Sequence, residues 1–161
     1  MRHLLLLCLL VISGLGAAQD TSTDEAALDS LATRWHRAAA QADSTAFFDA
    51  LTDDAIYIGT DKTEHWTKAE FLGFAAPYFA RGKAWSFHAT ERHIFHEEGA
   101  DYAYWDELLA TWMGPCRGTA VAKRGADGVW RIAHYTLSVT IDNDKIEGFL
   151  ELTGGSKIKR N

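Results

Sequence analysis

The chain has 161 residues, with 22 acidic against 16 basic side chains and a formal net charge of −6. An acidic sequence without a basic run excludes nucleic acid and anionic membrane surfaces as expected partners. The length suits one domain able to bury a sizeable core.

Residues 1–18 read as a secretory signal peptide and not as part of the fold. Arg2 and His3 give a short positive start. Leu4 to Ile12 is an apolar run too short to span a bilayer. Gly16 and Ala18 put small residues at −3 and −1 of a cut after Ala18. The mature protein is expected to start at Gln19, to be secreted or periplasmic, and to have no membrane attachment. Cleavage leaves Cys116 alone, so no internal disulfide is expected. Cys116 reads as a small, packed apolar residue.

Residues 19–153 form the expected domain. Ser22 and Glu25 have capping-box spacing. Leu28, Leu31, Trp35, Ala38 and Ala39 recur at helical spacing, which predicts an amphipathic helix over 23–42. Asp43 is a second N-cap, opening a short helix that turns Phe47, Phe48 and Leu51 inward. Residues 55–59 (AIYIG) predict a short strand, and 60–65 a polar loop.

Thr67 and Glu70 make another capping box. The helix they open has one apolar face in Phe71, Phe74, Tyr78 and Phe79, and Gly82 is a natural stop. Pro77 inside it predicts a kink or an early end.

From residue 84 the period changes to two. Strands are predicted over 85–95 and 100–113, with turns at 96–99 and at Gly114-Pro115. The strongest signal is the hairpin around 124–128, where Gly and Asp can take positive φ. Alternation along its second strand puts Trp130, Ile132, His134, Thr136 and Ser138 on one face. Residues 146–152 predict a last short helix or strand, and 154–161 a flexible tail.

Helices followed by long antiparallel strands make an α+β domain. The helices must cover one face of the sheet. A strongly curved antiparallel sheet covered in this way leaves a blind conical pocket.

Three segments together resemble the SnoaL-like branch of the nuclear transport factor 2-like (NTF2-like) superfamily. They are residues 53–61 (DDAIYIGTD), 116–119 (CRGT) and 130–138 (WRIAHYTLS). The resemblance covers about residues 25–152. It implies an NTF2-like cone with a pocket under the first helix, often dimeric through the sheet's outer face. The superfamily includes ketosteroid isomerase, polyketide cyclases, dehydratases and non-catalytic binding modules, so membership does not settle function. Aligned on Asp53-Asp54-Ala55, the isomerase's oxyanion tyrosine falls on Trp35 and its general base on Gly59. Its second carboxylic acid falls on or near Thr119. The isomerase's proton-shuttle chemistry is therefore not supported.

The same register implies a ligand pocket lined by Trp35, Tyr57, Asp61, Tyr104, Trp112, Arg117, Thr119 and Thr136. It also turns Asp106 and His134 inward. A carboxylate beside an imidazole raises the His pKa and can serve general acid–base catalysis. The same pair could instead be a hydrogen bond that only organises the core. No metal is expected: His88, His93 and His96 lie close, but on a strand His93 points away from the other two. No cofactor is expected either.

Three functions remain open. The leading one is a secreted, homodimeric domain binding a small, mostly apolar molecule in the cone. The second is a small-molecule lyase, isomerase or hydrolase using Asp106 and His134. The third is a non-catalytic dimeric interaction module.

Overall fold

The computed structural model describes residues 20–155. The expected signal peptide and most of the expected tail lie outside that range.

Helix α1 (Asp20–Ala40) buries Leu28, Leu31, Ala32, Trp35, Ala38 and Ala39 on one face. It starts ahead of Ser22, so the expected cap position lies within the helix. Asp43 caps α2 (Ser44–Asp49), its carboxylate accepting from Ala46 N at 2.9 Å. Phe47 and Phe48 then enter the core.

Strand β1 (Leu51–Ile58) pairs with β2 (His65–Thr67), a strand that falls at the end of the predicted loop. Thr67 and Glu70 form the expected capping box of α3 (Lys68–Ala80). Pro77 sits in the last turns of α3, and the helix runs three residues past it to Ala80. Gly82 has a φ of +77°, the left-handed stop that glycine supplies.

Four long strands follow: β3 (His88–His96), β4 (Tyr102–Thr111), β5 (Gly114–Arg124) and β6 (Trp130–Val139). The β5–β6 turn closes through Gly125 N donating to Val129 O at 2.9 Å, with Gly128 at a φ of +76°. Helix α4 (Ile146–Thr153) is the last element described, and Gly154 caps its end.

The sheet order is β2-β1-β6-β5-β4-β3. All neighbours are antiparallel except β1 and β6, which are parallel, so the sheet is mixed. A parallel pair needs a long crossover, and the whole segment between β1 and β6 supplies it. Register shifts interrupt three of the pairings, between Leu51 and Ile56, Ala89 and Glu91, and Val121 and Ala122. Bulges of this kind bend and twist a sheet, here around the helices.

The helices and the inner face share one aromatic core. Trp35 stacks on Phe47 with centroids 4.9 Å apart and meets the edge of Tyr135 at 4.6 Å. Tyr57 stacks on Phe71 at 3.9 Å. Small residues on the facing strands, Cys116, Gly118, Ala120 and Ala122, leave room for these rings.

The facing expected for β4, β5 and most of β6 is corrected. The inner face carries Ala103, Trp105, Glu107 and Leu109 from β4, and Tyr135 and Leu137 from β6. Tyr104, Asp106, Arg117, Thr119, His134 and Thr136 therefore stand on the outer face. On β6 the cause is a bulge. Val121 pairs with His134 while Ala122 pairs with Ile132, so Ala133 is an extra residue. Trp130 and Ile132 point inward as expected, and the phase inverts from Ala133 onward.

Candidate functional site

The cone opens between β1, β2, α3 and the β4–β5 turn. A hollow of about 250 Å³ lies there, floored by Tyr57, Phe71 and Leu137. Trp66, Phe74, Tyr78 and Trp85 wall it, and Trp112 and Met113 reach over it from the turn. Each element brings its ring for a local reason. Alternation along β1 turns Tyr57 inward, and β2 pairs Trp66 directly opposite it. The spacing of Phe71, Phe74 and Tyr78 puts them on one side of α3. Gly114 at a φ of +93° turns the chain sharply beside Trp112, which is 82% exposed.

Polar groups in the hollow are few. Glu64 is the one charged residue of its lining. Its Oε2 accepts from Asp61 N at 3.1 Å, and its backbone O accepts from Gly59 N at 2.9 Å. Gly59 is small for a reason: a Cβ there would collide with the Glu64 carboxylate, whose Cδ would lie 2.9 Å away. The Tyr57 hydroxyl is held far above its ordinary pKa by burial, then by the negative charge of Glu64, so it stays protonated.

A second polar group lies deeper, inside the wall. Glu107 is fully buried on β4, and every neighbour donates to it. His36 Nε2 donates to Oε1 at 2.7 Å and the Tyr135 hydroxyl to the same oxygen at 3.0 Å. Arg92 Nε donates to Oε2 at 2.9 Å, and Nη2 makes an ion-pair contact with the same oxygen at 2.8 Å. Arg92 Nη1 also reaches Asp29 Oδ1 at 2.6 Å and Thr33 Oγ1 at 3.0 Å, tying β3 to α1. Burial alone would raise the Glu107 pKa. Hydrogen bonding and charge from His36, then Arg92, outweigh it and hold the carboxyl at about 2. An ionised carboxylate only accepts, so His36 carries its proton on Nε2. Both oxygens are occupied, so this network braces the cone and leaves no lone pair aimed at a ligand.

The residues singled out from the sequence are divided by the structure. Tyr57 and Trp112 both border the hollow. Trp35 lies in the core behind Tyr57 and Tyr135. Asp61 is exposed in the β1–β2 loop, where Oδ1 accepts from Thr63 N at 2.8 Å. Asp106 sits on the outer face between Arg117 Nη1 at 3.1 Å and His93 Nδ1 at 3.4 Å. His134 shares a hydrogen bond with Thr136 at 3.0 Å. Strand β5 lies between Asp106 and His134, so the expected acid–base pair is not formed. Tyr104 stacks on Phe95 at 4.8 Å on the same outer face, and Thr119 is exposed there beside Asp106 and Thr136.

Sequence reasoning missed Glu64, His36, Arg92 and Glu107. Glu107 shares the two-residue phase of Trp105 and Leu109, but the other phase carries Tyr104 and Leu108, so the alternation alone does not choose between them. For Glu64 the signal is Gly59 five residues before it, ending a strand.

Helices laid across a bent six-stranded sheet, with a hollow at the open end, define the NTF2-like α+β cone. A family model for the SnoaL-like domain matches residues 28–142, and the chain belongs to that family. An NTF2-like protein of unknown function from Pseudomonas putida KT2440 is similar at 16% identity, with a TM-score of 0.62 over 77% of this chain and 92% of that one. A domain of unknown function with a cystatin-like fold from Nostoc punctiforme PCC 73102 is 15% identical, with a TM-score of 0.66 over 84% and 88%. A ketosteroid isomerase-like protein from Erwinia carotovora atroseptica SCRI1043 is 18% identical, with a TM-score of 0.54 over 73% and 96%. Among curated proteins none matches the sequence.

Proposed function

We propose that this SnoaL-like domain binds a small, mostly apolar molecule in the hollow at the open end of its cone. The observation that carries the reading is Trp112. The residue is 82% exposed, yet it borders a cavity of about 250 Å³ already walled by aromatic rings. Water gains little from such a surface, whereas an apolar ligand buries it on both sides. The volume lies just below the usual range for ligand pockets, so the molecule is small. The family contains both binding and catalytic members. Binding is favoured here because the interior carboxylate Glu107 is saturated by His36, Arg92 and Tyr135.

Thermal unfolding against a panel of small apolar probes tests this reading. A ligand that binds only the folded state raises the midpoint with concentration. Trp112→Ala should weaken that response. A panel of soluble alcohols, amines and carboxylates that moves the midpoint nowhere at millimolar concentration would overturn it.

The domain is further proposed to be exported and to act as a homodimer through the outer sheet face. Support for export is the leader pattern of residues 1–18. Support for pairing is an outer face that leaves Phe95, Tyr102 and Tyr104 exposed. The mass of the protein recovered from a secreting host should correspond to a start at Gln19. Sedimentation should give a dimer at micromolar concentration, and Tyr104→Lys should shift it towards monomer.

A further inference from the structure

Glu64 is an unusual residue to find among aromatic rings. Its carboxylate lines the hollow, Oε2 is anchored by Asp61 N at 3.1 Å, and Oε1 has no hydrogen-bond partner among the described residues. Neither oxygen has an ion-pair partner there. The rings of Tyr57, Trp66, Phe74, Tyr78, Trp85 and Trp112 share that lining. Trp66 and Phe74 stack with centroids 4.5 Å apart, each covering one face of the other.

A ring face is the negative end of the aromatic quadrupole. Where such a face opens onto the hollow, it adds to the negative potential of the unpaired Glu64 carboxylate. An anion is repelled by Glu64. A neutral apolar molecule would strip water from that carboxylate and offer nothing in return, a costly arrangement. An organic cation answers both features at once, with its charge towards Glu64 and its methyl or methylene groups against the rings. The protein already makes one such contact, because the Arg81 guanidinium lies 4.6 Å from the centre of the Tyr78 ring. The net charge of −6 favours approach of a cation from solvent.

We propose that the hollow selects a small organic cation, an ammonium group carried on an apolar body, with Glu64 as its counter-ion. This rests on the reading of the hollow as a binding pocket and names the class of ligand it takes.

The test uses three soluble probes of nearly one shape: choline, its neutral carbon isostere 3,3-dimethylbutan-1-ol, and 3,3-dimethylbutanoate. Each is titrated calorimetrically into the whole protein. Choline is expected to bind at least about tenfold more tightly than the alcohol, and the carboxylate most weakly. Glu64→Gln should collapse the choline-to-alcohol ratio. The amide oxygen that this substitution introduces can still accept from Asp61 N, so the loop keeps its anchor. Gly59→Ala, which pushes the carboxylate aside, should lower the ratio in the same direction. Equal affinity for choline and the alcohol, or tightest binding of the carboxylate, overturns cation selection and leaves the pocket standing. A ratio unchanged by Glu64→Gln also overturns it. Binding of none of the three, in a protein that unfolds cooperatively, overturns both.

Discussion

The Tyr135 hydroxyl of β6 donates to the buried carboxylate of Glu107 on β4 across 3.0 Å, bridging over β5 on the sheet's inner face. The same carboxylate holds His36 of α1 and Arg92 of β3. One buried anion thus fixes how the first helix sits on the sheet. A lone ion could not exist there. With donors on both oxygens it remains ionised, its pKa held at about 2 against an ordinary 4.5.

Glu107→Ala should destabilise the fold by about 3–5 kcal/mol, because it leaves the Arg92 charge buried without its partner. Urea unfolding measures the loss. A cost below about 1 kcal/mol would mean the network contributes nothing. The wild type should also be acid-sensitive in a defined window. The folded pKa of Glu107 lies below the unfolded one, so its contribution is complete above pH about 4.5 and drains away as pH falls towards about 2. Urea midpoints taken between those pH values should fall more steeply in wild type than in Glu107→Gln.

Gly118 faces the same oxygens. A Cβ at that position would collide with the Tyr135 hydroxyl, and would lie 2.8 Å from its Cζ and 3.1 Å from Glu107 Cγ. The ring is rigid and packed between Trp35 and Tyr57, so it cannot swing away. Gly118→Ala should therefore cost about 1–3 kcal/mol despite its improved strand propensity. Gly73, where an added Cβ would meet nothing within 4 Å, is the control and should accept Ala with no loss.

The architecture was legible because it rests on local signals. Helical spacing in α1, the caps at Asp43 and Thr67, and the Gly125–Gly128 turn each work within a few residues. The placement of side chains was not, for two physical reasons. On β4 both phases carry large rings and leucines, Tyr104 and Leu108 on one and Trp105 and Leu109 on the other. The true inner phase also carries Glu107, which makes it look like the wet one until its partners on α1 and β3 are known. On β6 the extra residue Ala133 inverts the alternation, and nothing in the local sequence marks it. Tyr57 borders the hollow because the alternation along β1 is regular where it stands, whereas Trp112, expected on the inward phase of β4, borders it from the turn beyond that strand.

The outer-face position of Asp106 and His134 has a direct consequence. Asp106 makes a surface ion pair with Arg117 at 3.1 Å, the kind that contributes between nothing and about 1 kcal/mol. His134 shares a hydrogen bond with Thr136 and with no other side chain among the described residues. Asp106→Asn and His134→Ala should each change stability by less than about 1 kcal/mol and leave affinity for pocket probes untouched. A tenfold loss of probe affinity in either variant would show that the outer wall communicates with the hollow.

Helix α4 gives the last expectation. The family match ends at residue 142, just before the turn that leads into α4. The helix buries no residue: Ile146 and Phe149 are exposed and Leu152 is 90% exposed. The strand before it is closed independently, since Thr140 N and Oγ1 both donate to Pro115 O, at 3.0 and 2.8 Å. A chain ending after Asp142 keeps those bonds and the whole aromatic core. It should unfold cooperatively with a stability loss below about 1 kcal/mol, because little apolar surface leaves a buried site. It should also bind pocket probes as the full chain does, since no residue of α4 lines the hollow. A loss of several kcal/mol in the truncated chain at concentrations where it is monomeric would mean that α4 packs on the sheet. A loss seen only where the full chain is dimeric would assign its exposed leucine and phenylalanine to the subunit contact.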